Sequence, residues 1–192
     1  EVCFGDERCV APDAPESNYG MVSRALFDHV PLPAQQIHRI TTELSPRMAA
    51  DDYEARLKSL LGVAPSGAPL RRFDLVLLGL GTDGHTASLF PGSADEPGRW
   101  VSPRMVSSSW RITLTPLALN AADSVFFLVK GPEKAEPLAQ VSSAPSDPML
   151  LPAQRIVPSG TLTWLVDQDA ASRLDPDMSS QGTDVGRPKE DD

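Results

Sequence analysis

The sequence predicts an α/β fold: a mainly parallel sheet with helices on both faces, Rossmann-like in its order of elements. Three observations predict it. Apolar runs at Phe73–Leu80, Ser124–Val129 and Leu162–Val166 have the length and composition of buried strands. Segments before and between them carry the spacing of amphipathic helices. The run Phe73–Leu80 empties into a glycine loop, and in open α/β sheets ligands bind beyond the carboxyl ends of such strands.

Taken in order, Glu1–Phe4 reads as a short strand, followed by a polar, proline-rich loop. Ser17 can cap a helix from Asn18 to about His29, with Val22, Ala25, Leu26 and Val30 on its buried face. Ser45 followed by Pro46 starts a second helix, a capping residue and then a first-turn proline. That helix runs through Tyr53, Leu57, Leu60 and Leu61 and stops at Gly62, with Glu54 and Lys58 paired on its solvent side. A surface loop spans Pro65–Pro69, and the strand Phe73–Leu80 that follows is apolar enough to be covered on both faces. Thr86–Phe90 allows one helical turn before Pro91 ends it. Trp110–Thr115 alternates as a strand with Ile112 and Leu114 on one face. Past Val129, Gly131–Ala135 opens a helix with Pro132 in its first turn, and Pro137 is expected to kink it.

Residues 1–174 are expected to form a single α/β domain, since 192 residues suit one core and not two. From Asp175 to Asp192 six acids and two bases give a net charge of −4, which leaves −5 of the total −9 for the rest. That acidic stretch has little to bury and is expected to be disordered. The negative balance argues against a nucleic-acid partner, and no membrane-spanning run or signal peptide is visible. Cys3 and Cys9 lack the companions of a zinc site; their spacing allows a disulfide, but reduced thiols in a cytoplasmic protein are the preferred reading.

The chemistry concentrates in FDLVLLGLGTDGHTASLFP, Phe73–Pro91. Gly79-Leu80-Gly81-Thr82-Asp83-Gly84 matches the dinucleotide fingerprint letter by letter. Pro91 stops the helix that fingerprint needs, however, and VSPRMVSSSW offers no acid for a ribose. His85 admits two readings: a fold-supporting hydrogen-bonded histidine, or a reactive one whose tautomer Asp83 fixes. A serine hydrolase is disfavoured, because no G-x-S-x-G elbow exists and Ser88 has no evident base and acid.

The string G-x-G-x-D-G-H-T-A-S-L-F-P, met at every position from Gly79 to Pro91, resembles the signature of the 6-phosphogluconolactonase family. GDERCVAPDAPESNYG (Gly5–Gly20), RITLT from Arg111 and GPEKA from Gly131 are similar to other blocks of that family. The resemblance covers Glu1 to about Leu174. It implies hydrolysis of 6-phospho-D-glucono-1,5-lactone to 6-phospho-D-gluconate in the pentose phosphate pathway, with His85 as general base and neither cofactor nor metal. Asp83 would orient His85 or contact the sugar, and Arg8 would hold the phosphate or the oxyanion. Lys134, at a helix start beyond a strand, would bind phosphate. Arg111, Asn18, Asp6, Gly81 and Gly84 would complete the substrate site, although a solvent-facing arginine and a helix cap explain Arg111 and Asn18 equally well. The partner implied is a small sugar-phosphate lactone, and a monomer is expected.

Two alternatives stand beside it. One is a glucosamine-6-phosphate deaminase/isomerase, disfavoured because Thr86–Pro91 lacks the asparagine and glutamate those enzymes carry there. The other is a non-catalytic sugar-phosphate-binding fragment. Family members usually begin with a further strand-helix unit bearing a glycine and serine/threonine-rich turn. The sequence shows none, so a truncated lactonase with an incomplete phosphate site is the expectation.

Overall fold

A computed structural model describes residues 1–67, 69–143 and 146–175. The expected acidic tail, from residue 176 onward, lies outside the described residues, as does residue 68 of the expected surface loop. In chain order the elements are β1 (Val2–Cys3), β2 (Asp6–Arg8), α1 (Asn18–Ala25), β3 (Ile37–His38), α2 (Pro46–Leu61), β4 (Val76–Gly79), β5 (Val101–Val106), β6 (Ser109–Leu114), α3 (Pro116–Leu119), β7 (Ser124–Val129), α4 (Ala135–Ser142) and β8 (Thr161–Val166). Parallel sheets with interspersed helices bear out the α/β expectation. β4, β7 and β8 form one parallel sheet in the order β4–β7–β8, and β1 pairs with β3 in another. A third sheet, β2–β6–β5, is antiparallel and was not expected; it builds on the predicted Trp110–Thr115 strand, with Asp6 opposite Thr113 and Arg8 opposite Arg111.

Ser17 caps α1 as expected, accepting from the Gly20 amide at 3.0 Å. The helix is shorter than predicted and gives way to a 3-10 turn at Phe27–His29. Pro31 accounts for this: it biases Val30 to the extended backbone it adopts, so the last turn tightens instead of continuing. Of the predicted buried face, Val22 packs against the core as expected while Ala25, Leu26 and Val30 are exposed; Tyr19 and Phe27 supply the other contacts, their rings clustering with buried Phe4.

The second helix matches its predicted bounds, with Ala49, Ala50, Tyr53, Leu57 and Leu61 buried and Gly62 ending it at φ 70°. Ser45 makes no side-chain capping bond. Glu54 pairs with Lys58 at 2.5 Å but does not face solvent. Its side chain is 6% exposed, and it also accepts from Arg99 and from the amides of Trp100 and Val101. That explains its burial: the carboxylate fastens α2 to the start of β5.

Within the parallel sheet, Val76, Leu78, Val125 and Phe127 point into the core, with Phe127 stacked on Trp164 at 4.0 Å. The opposite face is open: Leu77, Leu128 and Leu165 are roughly half exposed, so β4 is covered on one face and not on two. Strand β5 escapes the sequence because Pro103 lies inside it; as an edge strand it tolerates the missing donor. Pro137 does not kink α4. A 3-10 turn at Pro132–Lys134 precedes the helix, so Pro137 falls in its first turn, where an N–H is not needed. Among the described residues no helix is long and apolar enough to cross a membrane.

Candidate active site

The polypeptide leaves β4 at Gly79 and folds back on itself. The Gly81 amide donates to the His85 carbonyl at 2.8 Å, and the Gly84 amide to the Gly81 carbonyl at 3.1 Å. Thr86 Oγ1 closes the loop onto the Gly79 carbonyl. Gly84 adopts φ 79°, which favours glycine. At Gly81 a Cβ would lie 2.0 Å from His85 Nδ1, so only glycine leaves room for the imidazole. Both glycine amides are engaged within the loop; these residues shape the site and do not serve as free donors.

His85 is placed by Asp83, whose Oδ1 accepts from the His85 amide at 3.1 Å and lies 2.5 Å from Nδ1. Burial disfavours the charged form of Asp83, but the hydrogen bonds from the His85 ring and backbone outweigh it and hold the carboxyl below its ordinary range. An ionised Asp83 accepts a hydrogen bond from Nδ1–H, which leaves Nε2 as the acceptor. The imidazole also stacks on Phe90, centroids 4.3 Å apart.

Beyond His85 the loop is bolted to the antiparallel sheet. A tight turn with Ala87 at φ 47° brings Ser88 to that sheet's surface. The Ser88 amide donates to Thr113 Oγ1 at 3.1 Å, and its hydroxyl to Asp6 Oδ2 at 2.7 Å. Asp6 also receives the Asn18 side-chain amide, at its carbonyl (2.9 Å) and at Oδ1 (3.1 Å). Burial pushes the Asp6 carboxyl up, while the Ser88 hydrogen bond and the charges of Arg8 and Arg111 pull it down without cancelling that effect. The chain 147–153 braces the loop from the other side, with the Ala153 amide on the Gly84 carbonyl and the Gly92 amide on the Met149 carbonyl.

Arg8 and Arg111 face each other across β2 and β6. Arg8 donates to the Glu16 carbonyl at 2.6 Å, and Arg111 lies over the Phe90 ring, 5.5 Å from its centroid. Among the described residues neither forms an ion pair, and the buried Nε of each lacks a hydrogen-bond partner. Arg104, next in the row, differs: it shares Asp95 with Arg155. Two guanidiniums on the strands to which the His85 loop is fastened therefore retain capacity for an anion.

Lys134 lies in the 3-10 turn that follows β7, and β7 is the parallel neighbour of β4, so its turn and the His85 loop leave the same edge of the sheet. The Gly131 amide expected to greet a phosphate instead donates to Asp167, and the Glu133 carboxylate lies against Gly131. A cleft of about 430 Å³ lined by Pro69, Arg72 and Asn120 sits at the amino end of β4 and β7, away from this chemistry.

Sequence reasoning missed Glu7 and Thr113, and weighed Ser88 only as a nucleophile. Glu7 is 2% exposed and accepts from the amides of Arg8, Asn18 and Tyr19 and from the Ser17 hydroxyl, tying the start of α1 to β2. The acid in Asp6-Glu7-Arg8 just ahead of a capping serine was the available signal.

Residues 1–164 match the model of the family described as glucosamine-6-phosphate isomerases/6-phosphogluconolactonase. A 6-phosphogluconolactonase of Nostoc sp. is 40% identical over 176 residues, which span 90% of this chain and 72% of the relative. One of Haemophilus influenzae is 38% identical over 175 residues, 89% of this chain and 72% of the relative. The crystal structure of devB protein superposes with a TM-score of 0.82 at 39% identity, covering 89% of this chain and 72% of the other.

Proposed function

We infer the activity from one premise: the chain belongs to the glucosamine-6-phosphate isomerase/6-phosphogluconolactonase family. Within it, the chain is a lactone-ester hydrolase, which converts 6-phospho-D-glucono-1,5-lactone to 6-phospho-D-gluconate in the oxidative branch of the pentose phosphate pathway. The observation that carries the assignment of roles is the Asp83–His85 pair at the end of β4, its loop fastened to the sheet that bears two arginines without ion-pair partners among the described residues.

In this reading His85 Nε2 takes a proton from water as the water oxygen attacks the lactone carbonyl carbon. Asp83, ionised and held on Nδ1, fixes the tautomer and stabilises the imidazolium that forms. The tetrahedral oxyanion then collapses, the bond from the former carbonyl carbon to the ring oxygen breaks, and the imidazolium protonates that oxygen. Arg8 and Arg111 hold the phosphate, for which planar guanidiniums with unused donors are suited. Asp6 and Asn18, locked to each other and to Ser88, form the wall that faces the sugar. Lys134, in the turn past β7 beside the β4 loop, is a further candidate for the phosphate. Residence in the cytoplasm belongs to the same proposal and is supported by the unbridged Cys3 and Cys9.

The test is acid release from freshly generated lactone, with spontaneous hydrolysis subtracted. His85→Ala is expected to lower kcat by about 10²–10⁴-fold while the fold persists. Undiminished catalysis by that variant would remove His85 from the mechanism.

A further inference from the structure

Phe90 is an aromatic residue whose position burial does not explain. Phe4 and Phe127 lie in the core and Phe27 and Phe73 pack against it, but Phe90 belongs to neither group. Its ring meets two polar groups of the site instead. The imidazole of His85 lies nearly flat on it, centroids 4.3 Å apart and planes 29° apart, and the guanidinium carbon of Arg111 stands 5.5 Å from its centroid. Both contacts are favourable, because an aromatic face attracts a cation and accepts an offset-stacked ring.

The ring is also fixed from behind. Leu89, the preceding residue, is fully buried. The Phe90 carbonyl accepts from the Ser93 amide at 3.0 Å and from the Ser93 hydroxyl at 2.6 Å. Asp83 secures one edge of His85 and leaves its tilt to be set by whatever lies against its face. Arg111 comes from a different sheet, and its buried Nε has no partner among the described residues to orient it. One ring thus touches the proposed base and one of the proposed anion-binding groups.

We propose that Phe90 is a positioning residue whose ring sets the spacing between the His85 imidazole and the Arg111 guanidinium. It thereby selects lactones whose anionic group stands at that distance from the carbonyl. This rests on the lactonase reading above, with Arg111 at the phosphate.

The experiment compares the native chain with Phe90→Leu and Phe90→Tyr, with Phe90→Met in reserve should the leucine variant fail to fold. Each is assayed on 6-phosphogluconolactone and on unphosphorylated glucono-1,5-lactone. In the leucine variant the ratio of the two kcat/KM values, phosphorylated over unphosphorylated, is expected to fall by about tenfold or more. The tyrosine variant keeps the aromatic face and the ratio. Equal losses on both substrates would mean that Phe90 only supports the loop, and would overturn the proposal.

A second readout does not depend on turnover. The His85 ring protons, followed by NMR, are expected to lose their ring-current displacement in Phe90→Leu and keep it in Phe90→Tyr. Inorganic phosphate is expected to shift the His85 signals in the native chain and not in the leucine variant. Unchanged His85 resonances in Phe90→Leu would overturn the proposal. If the native chain hydrolyses neither lactone, the lactonase reading fails on its own, and the NMR comparison still decides the part played by Phe90.

Discussion

At the scale of single residues, the site divides by sequence distance. Asp83 and His85 are two positions apart, and their pairing is legible in the sequence because the Asp-Gly-His order leaves the carboxylate little else to reach. Asp6, Asn18 and Ser88 are a different matter. The bond from Ser88 to Asp6 joins residues 82 positions apart, and no local pattern records it. The Asp83–His85 contact also separates orientation from charge. Asp83→Asn keeps an oxygen able to accept from Nδ1 but removes the negative charge that stabilises the imidazolium. We expect kcat to drop by about 10²–10⁴-fold, no more than for His85→Ala, with little change in KM. Steady-state kinetics on the lactone, with circular dichroism to confirm the fold, checks this; equal rates for the native chain and the asparagine variant would limit Asp83 to shaping the loop.

Among the elements, those with strong periodicity or uninterrupted apolar runs were legible: α2, β7 and β8 stand close to where the spacing places them. Those whose existence depends on a partner were not. Strand β5 contains a proline and becomes a strand because β6 offers it an edge, and β3 is two residues long and exists through β1. The Glu54–Lys58 pair shows the same limit, since spacing reveals the pair but not which way the helix turns it. Glu54→Ala would strip four partners of their acceptor: the amides of Trp100 and Val101 and the charged groups of Arg99 and Lys58. Donors left buried cost more than the bonds themselves contribute, so a loss of about 2–4 kcal/mol is expected. Urea denaturation measures it. A loss below about 1 kcal/mol would show that water or rearrangement replaces the carboxylate.

Across the whole molecule, the site exists because two sheets meet. The parallel sheet delivers His85 from the end of β4, and the antiparallel sheet delivers Asp6, Arg8 and Arg111. The sequence shows each contributor on its own stretch of chain; only the packing of one sheet against the loop of the other brings them together. That junction leaves Asp6 only partly exposed, and the consequence reaches the stability of the fold. Asp6 has its carboxyl raised by burial, so the folded state binds this proton more tightly than the unfolded chain does. Its contribution is greatest below the unfolded value of about 4 and is lost as pH rises through the raised one. Five carboxylates have the opposite sign: Glu1 lowered by His38, Glu43 by Arg39, Asp51 by Arg99, Asp167 by the Ala170 and Gly131 amides, and Asp83 by bonds from His85 that outweigh burial. Their contribution is present above about pH 4 and disappears as pH falls through their lowered values. The two tendencies together predict a stability maximum on the mildly acidic side, with a fall toward strong acid and a gentler one toward neutrality. Asp6→Asn removes the ionisation responsible for the neutral-side decline, so its Tm curve should flatten above about pH 4 while the acid limb stays. A variant whose neutral-side slope matches that of the native chain would mean that Asp6 keeps its charge without cost, held by Arg8 and Arg111 more firmly than its burial opposes.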